Sequence, residues 1–278
     1  MTQPASPLLD TGLGAALLGA AAAREQDMVR ALVRLAEMES PSSDPAAQQA
    51  VLDAVQQALD DRGLRTLRTP GQGRSGGMLV AATATPVEPA PFQLVIGHAD
   101  TVWPHGTTGH RPPRREGDVL TGPGTYDMKA GLVQLTTAID VLAEVGRAPA
   151  VRPVVLVNSD EEIGSRESTA AIRALAQASD RAMVLEPSLG SQGALKTARK
   201  GLGRYTVTVH GRAAHAGLDP TAGASAILEL STLIQALFAL NDPDRGVTVN
   251  VGMVSGGIQP NVIAPESSAV VDVRVLTA

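Results

Sequence analysis

The sequence predicts an α/β fold, a largely parallel sheet flanked by helices, followed by a smaller α+β unit. Three observations carry this. Between Met78 and Leu185, apolar runs of strand length alternate with helical patterns, which is the order of a parallel sheet covered on both faces. After residue 200 the strands alternate apolar with polar residues, as in an antiparallel sheet with one solvated face. With 44% apolar and 18% charged residues in 278, the composition is that of a folded chain long enough for a large core. Residues 1–199 are assigned to a first domain and 200–278 to a second.

The elements follow in order. Leu13 to Ala23 is apolar, but no basic segment precedes it and it is too short to span a bilayer. It is expected as a short surface-packed helix. Met28, Val29, Leu32, Val33, Leu35 and Ala36 make a helical stripe over 24–38. Glu39-Ser-Pro-Ser-Ser-Asp44 is a loop, and Asp44 before Pro45 starts a helix that Gly63 closes. Met78–Ala82, Phe92–Ile96, Val154–Val157 and Ala182–Leu185 read as strands, with helices at about 129–145 and 167–178 between them. Further on, Tyr205-Thr-Val-Thr-Val209 is a half-exposed strand. A helix over about 221–240 and strands near 246–255 and 267–275 complete the pattern. This β-α-β-β order is most of a ferredoxin-like β-α-β-β-α-β unit, incomplete at the C-terminus, because the last helix and strand do not appear before Ala278.

Composition excludes several functions. Phe92, Phe238, Trp103, Tyr126 and Tyr205 are the only aromatic rings, so the core is aliphatic and a base-stacking platform is not expected. A formal charge of −5 speaks against a phosphate-backbone partner, hence no nucleic acid. With no spanning segment the expectation is no membrane and a soluble, cytoplasmic protein. Cysteine is absent, so any metal site must use His and carboxylates. Gly71-Gln-Gly-Arg-Ser-Gly-Gly77 lacks the lysine and spacing of a phosphate loop and reads as a turn. There is no Gly-x-Ser-x-Gly elbow, which speaks against a serine hydrolase. His105, His110 and His210 read as loop or surface residues.

The chemistry lies where His and acids follow strands. His98 and Asp100 follow one apolar run, Asp160, Glu161 and Glu162 another, and Glu186 a third. Asp127 sits in the glycine-rich turn Gly122-Pro-Gly-Thr-Tyr-Asp-Met-Lys-Ala-Gly131, at a helix start. In an open parallel sheet the carboxyl ends of strands share one edge, where ligands bind. So many acids in one crevice repel one another unless a cation sits among them. His with carboxylates and no thiolate suits Zn²⁺, or Co²⁺ or Mn²⁺ where oxygen donors dominate. Asp127 is a reasonable bridge between two metals, and Asp100 could fix the tautomer of His98. Of Glu161 and Glu162, one would bind metal and the other would take a proton from water. Taken singly, each has a plainer reading: His98 as a hydrogen-bonded loop residue, the acidic triplet as a solvated turn, Asp127 as a helix cap.

Gly97-His-Ala-Asp-Thr101, the turn 122–131, Asp160-Glu-Glu-Ile-Gly-Ser165, Leu185-Glu-Pro187 and Gly211-Arg-Ala-Ala-His-Ala-Gly217 occur in this order. Together they resemble the di-zinc metallopeptidase family of glutamate carboxypeptidase, acetylornithine deacetylase, succinyl-diaminopimelate desuccinylase and aminoacylase. The resemblance covers residue 24 to the end, and Leu185-Glu-Pro187 with Trp103-Pro104 is most similar to the glutamate carboxypeptidase branch. It implies a zinc exopeptidase-like fold with an inserted lid. The implied enzyme is a hydrolase, a metallo-exopeptidase or N-acyl amino acid deacylase that cuts an amide next to a free carboxylate. His98 and Glu186 would hold one zinc, Asp127 would bridge, and Glu162 would hold the other. Asp100 would orient His98, Glu161 would be the general base, and Asp127–Met128 would be a cis peptide. His215 resembles the histidine that reaches a partner subunit's site to stabilise an oxyanion, and Asn261 and Arg274 match substrate-carboxylate residues. The lid would make a homodimer. The family's last zinc ligand, a histidine near its C-terminus, has no counterpart before Ala278. The chain is therefore expected to be either a fragment or a truncated relative, and the competing reading is a binding remnant that cannot turn over.

Overall fold

The structure is a computed structural model in which residues 11–83, 91–190 and 192–276 are described. It divides into two compact units, Met1–Pro187 and Ser188–Ala278.

The first unit opens with helices α1 (Thr11–Ala23), α2 (Glu25–Glu37) and α3 (Gln48–Asp60). Strands β1 (Arg65–Thr69), β2 (Met78–Ala82) and β3 (Phe92–His98) follow, then a short helix α4 (Thr107–His110) and the hairpin β4 (Arg114–Glu116) and β5 (Val119–Thr121). A tight turn, Thr125–Lys129, leads into α5 (Ala130–Glu144), and β6 (Arg152–Asn158), α6 (Thr169–Ala178) and β7 (Arg181–Val184) complete the unit.

The sheet has five strands in the order β1-β2-β6-β3-β7. β6, β3 and β7 are parallel, whereas β1 and β2 add to one side antiparallel, so the sheet is mixed. Side chains of the central strands alternate between two buried layers. Val95, Val155 and Val157 pack with Val51, Leu52, Val55 and Leu59 of α3 and with Leu132 and Leu135 of α5. Leu94, Val154 and Leu156 pack on the other side, against Ala171, Ile172 and Leu175 of α6. Both faces are covered by helices, which is why these strands read as unbroken apolar runs.

The second unit contains β8 (Gly201–His210), α7 (Ala226–Phe238), β9 (Thr248–Gly256) and β10 (Glu266–Val275). Its sheet is antiparallel in the order β8-β10-β9, with a register shift at Val270/Val271 that leaves Gly252 unpaired on β9. Ser225 caps α7, its Oγ accepting from the Leu228 amide at 3.2 Å. Ala226 and Leu230 of α7 are buried, as are Val249, Ala269 and Val271 of the sheet, and Ser267 Oγ donates to the Ala226 carbonyl at 2.9 Å.

Candidate metal centre

The first unit gathers the acids at one edge of its sheet. β3 and β6 run parallel with His98 opposite Asn158, so the residues after both strands emerge side by side. β7 pairs with β3 as far as Val184 opposite Ile96, which delivers Glu186 to the same edge. Asp127 comes from the turn before α5, where the Asp127–Met128 peptide bond is cis. That turn approaches β7 closely because residue 131 is glycine. A Cβ there would lie 2.1 Å from the Leu185 carbonyl oxygen and 2.9 Å from Met128 Cε.

His98 is buried and central. Its Nε2 lies 3.1 Å from Asp127 Oδ1, 3.5 Å from Glu186 Oε1 and 4.0 Å from Glu161 Oε2. Two sets, His98 with Asp127 and Glu162, and His98 with Glu161 and Glu186, each present donor atoms within 4.8 Å of one another. The Asp127 and Glu161 side chains keep 52% and 46% of their exposure, so the cluster is open on one side to a ligand. Nδ1 of His98 donates to the main-chain oxygen of Asp100 at 2.9 Å, closer than the Asp100 carboxylate at 3.4 Å. This turns Nε2 towards the acids, the orientation a metal-ligating imidazole needs.

The electrostatics are those of crowded carboxylates. Burial alone would depress His98, but Asp100, Asp127 and Glu186 as acceptors outweigh it and push its pKa up to about 12. Burial, then Asp127, pushes Glu162 up to about 7. Glu161 is also raised, chiefly by burial, with Glu186, Asp100 and Asp127 adding to it against the opposing charge of His98. A proton on one imidazole offsets only part of the charge of four acids. The donor set therefore fits divalent cations: one imidazole nitrogen and several carboxylate oxygens within reach of shared centres.

Asp100 does more than face His98. It is buried, and its two oxygens accept the amides of Glu161 and Glu162, each at 3.2 Å, while Ser42 Oγ donates to it at 2.7 Å. Burial would raise its pKa, yet the His98 and Ser42 contacts hold it below the ordinary carboxylate range. One carboxylate thus ties the β3 end to the β6 end. Asp160, first of the acidic triplet, is a buried structural group. It accepts from Ser168 Oγ at 2.6 Å, from the Glu167 amide at 2.7 Å and from Asn158 Nδ2 at 3.1 Å, and so shapes the turn that carries its neighbours.

Three further residues had no sequence signal. Ser42 lies in the loop after α2, whose main chain pairs with Thr101 beside the site. Glu39 accepts from the amides of Gly106 and Thr108 at 2.7 and 2.8 Å and from Thr108 Oγ1 at 2.7 Å, and these bonds hold its pKa at about 2. Lys129 is buried, donates to the Met38 carbonyl at 2.7 Å, and is depressed to about 8 by that burial, against the opposing pull of Glu39. The loop after α2 is therefore fastened to both site-bearing turns. The sequence placed Glu39 and Ser42 in a loop and Lys129 in the glycine-rich turn, without singling out any of the three.

His215, Asn261 and Arg274 belong to the second unit. His215 and Asn261 sit on adjoining segments: His215 bridges to Val262, and the Ala216 amide donates to the Asn261 carbonyl at 3.0 Å. His215 is exposed, its Nδ1 accepting from the Gly217 amide at 3.1 Å. The Arg274 guanidinium lies on β10, 2.9 Å from the Asp272 carboxylate.

Comparison with known proteins gives a consistent picture. Residues 197–278 match the peptidase dimerisation domain. The chain is 27% identical over 258 residues to carboxypeptidase G2 of Pseudomonas sp. (strain RS-16), covering 93% of this chain and 62% of that protein. It is 32% identical over 192 residues to N-acetyl-L-citrulline deacetylase of Xanthomonas campestris, covering 64% of this chain and 49% of that one. Its fold matches the M20 family metallo-carboxypeptidase Sso-CP2 from Sulfolobus solfataricus with a TM-score of 0.67 at 16% identity, over 89% of this chain and 71% of that one. The chain thus spans less than two thirds of the length of these two sequence relatives.

Proposed function

We propose that this chain, which carries a peptidase dimerisation domain and is related to the M20 metallopeptidases, forms the metal centre of a hydrolase that cleaves an amide bond next to a free carboxylate. The observation that carries the reading is the convergence of Asp127, Glu161, Glu162 and Glu186 on buried His98. His98 and Glu186 would hold one cation, Glu162 another, and Asp127 would lie between them. Zn²⁺ fits this mixture of one imidazole with carboxylates, with Co²⁺ or Mn²⁺ as replacements. Bound there, the pair would polarise the scissile carbonyl and acidify water.

The remaining work falls to side chains. Glu161, whose raised pKa makes its carboxylate a better base near neutrality, takes the proton of the attacking water and returns it to the leaving amine. Asp100 keeps Glu161 and Glu162 in register with His98 through its bonds to both amides. In the second unit, His215 of the partner subunit would stabilise the oxyanion, and Asn261 and Arg274 would receive the substrate carboxylate. That role requires Arg274 to exchange Asp272 for the substrate, an exchange that the exposure of both side chains keeps inexpensive. The substrate class is a peptide or N-acyl amino acid, a C-terminal glutamate being the preferred member, and the active form is a homodimer through residues 197–278.

The test is Glu161→Ala, assayed on N-acyl amino acids with metal content measured on the same sample. Turnover is expected to fall by roughly 10²–10⁴-fold with bound metal unchanged. Undiminished turnover would remove Glu161 from the role. A wild-type chain that takes up no zinc would favour a remnant that no longer turns over.

A further inference from the structure

Glu161 and Glu162 reach the candidate centre on a turn between β6 and α6 that has little packing of its own. Glu161, Ile163, Gly164 and Arg166 are exposed. Gly164 and Ser165 both take left-handed backbone, with φ of 94° and 52°, a conformation that a serine keeps only when its surroundings impose it. We propose that Glu167 is a positioning residue for Glu161 and Glu162, holding their turn in place by seating its carboxylate in the glycine-rich loop 71–77. The inference rests on the metal-centre reading above and extends it to how that centre is held.

The seat is built largely from backbone. Glu167 accepts from the amides of Gln72 and Arg74, at 3.0 and 3.1 Å, and from Ser75 Oγ at 2.6 Å. Main-chain amides that converge in this way bind an anion. A phosphate loop takes its anion from outside, whereas here the chain supplies its own. The Ser75 hydroxyl and the Gln72 amide, against the opposing effect of burial, hold the Glu167 carboxyl below the ordinary carboxylate range, so the contact is charged at neutral pH. The glycines at the two ends of the loop follow from its closure. A Cβ at residue 71 would lie 1.9 Å from the Ser75 carbonyl oxygen, and one at residue 77 would lie 2.1 Å from the Thr69 carbonyl oxygen. The loop can fold around a carboxylate only where those side chains are missing.

The loop is itself anchored. Ser159 Oγ, where the acid-bearing turn begins, donates to the Gly77 carbonyl at 2.8 Å. The Gly76 amide donates to Oε1 of Gln48, a fully buried residue of α3, and Gln48 Nε2 donates to the Pro41 carbonyl at 2.9 Å. Pro41 precedes Ser42, whose hydroxyl donates to Asp100, and Asp100 accepts the amides of Glu161 and Glu162. These contacts close a ring that leaves the turn at Glu167 and returns to it at the two acids. Asp160 shapes the turn from within, whereas Glu167 fastens it to the rest of the unit. With the ring cut at Glu167, Glu162 would lose its fixed distance to Asp127 and His98, and Glu161 its fixed distance to Glu186.

The experiment compares the wild-type chain with Glu167→Ala and Glu167→Gln. Amide hydrogen exchange of the metal-free chain reads the turn directly, competition with a chelator reads zinc affinity, and turnover of N-acyl amino acids separates kcat from KM. In Glu167→Ala the amides of Glu161 and Glu162 are expected to exchange roughly tenfold faster, while those of α3 and the central strands exchange as before. Zinc affinity is expected to fall by roughly tenfold, and kcat with it, with KM little changed. Glu167→Gln, which keeps the reach of the side chain and one acceptor oxygen, should restore part of each loss. Unchanged exchange in the turn, faster exchange with unchanged zinc affinity, or faster exchange spread over the whole unit overturns the proposal while leaving the metal centre standing. A wild-type chain that takes up no zinc instead removes the reading on which it rests.

Discussion

At the scale of single residues, the site depends on close approach as much as on charge. Gly131 is the sharpest case, because a Cβ there would meet the Leu185 carbonyl at 2.1 Å and Leu185 Cβ at 2.9 Å. Leu185 precedes Glu186, and Gly131 follows the Asp127 turn, so the glycine sets how near those two acids can come. Gly131→Ala should push α5 away from the β7 end. Stability is expected to fall by about 1–3 kcal/mol in urea unfolding, and zinc affinity to weaken with it. An unchanged zinc affinity would show that this contact does not set the spacing of the acids. Sequence marked this glycine only as part of a turn, since the neighbour that it makes room for lies far along the chain. Asp100 is similar. Its place beside His98 was legible, but its grip on the Glu161 and Glu162 amides was not.

At the scale of elements, what periodicity could show was shown. α2, α5, α6 and the central strands appear close to their expected spans, because each buries a continuous apolar face. β1 and the β4–β5 hairpin were invisible. Leu67, the central residue of β1, is 68% exposed, and all three residues of β4 are exposed. A strand that buries nothing leaves no apolar rhythm. The loop after α2 carries a prediction of its own. Glu39 sits at about 2 when folded, against an ordinary value of 4.5, because three donors satisfy its charged form. A depressed carboxyl stabilises the fold fully above its ordinary pKa and loses that contribution as pH falls towards the folded value. Glu39→Gln should therefore cost about 1–2 kcal/mol near neutral pH, with the gap from wild type closing below pH 4.5. Urea unfolding at a series of pH values checks this, and a gap independent of pH would rule it out.

For the whole molecule, the two units have different characters. Residues up to Pro187 hold every acid and imidazole of the candidate centre, whereas the rest hold the dimerisation domain and the exposed His215, Asn261 and Arg274. Cations that bind only the folded first unit stabilise the chain by mass action. His98 is protonated in the metal-free state at neutral pH, and Glu162, at about 7, is partly so. Metal binding must displace those protons, so the rise in melting temperature on adding zinc should grow as pH increases from roughly 6 to 8, with proton release seen in an unbuffered titration. A shift in melting temperature that is independent of pH would contradict a site built on these two groups.

The sequence by itself determined the alternation of strands and helices, the change of pattern near residue 200, and the positions just after strands where His98, Asp100, Glu161, Glu162 and Glu186 fall. These are local properties, written in apolar period and in the residues that interrupt it. Only the tertiary structure decided that β1 and β2 join the sheet antiparallel, and that Asp100 spans two strand ends. It also decided that Ser42, Glu39 and Lys129 fasten a distant loop to the site, and that Glu167 meets the loop 71–77. Each of those depends on atoms far apart in the chain meeting within a few ångströms. Strand pairing and helix packing set such meetings, and neither is encoded in the spacing of any one segment.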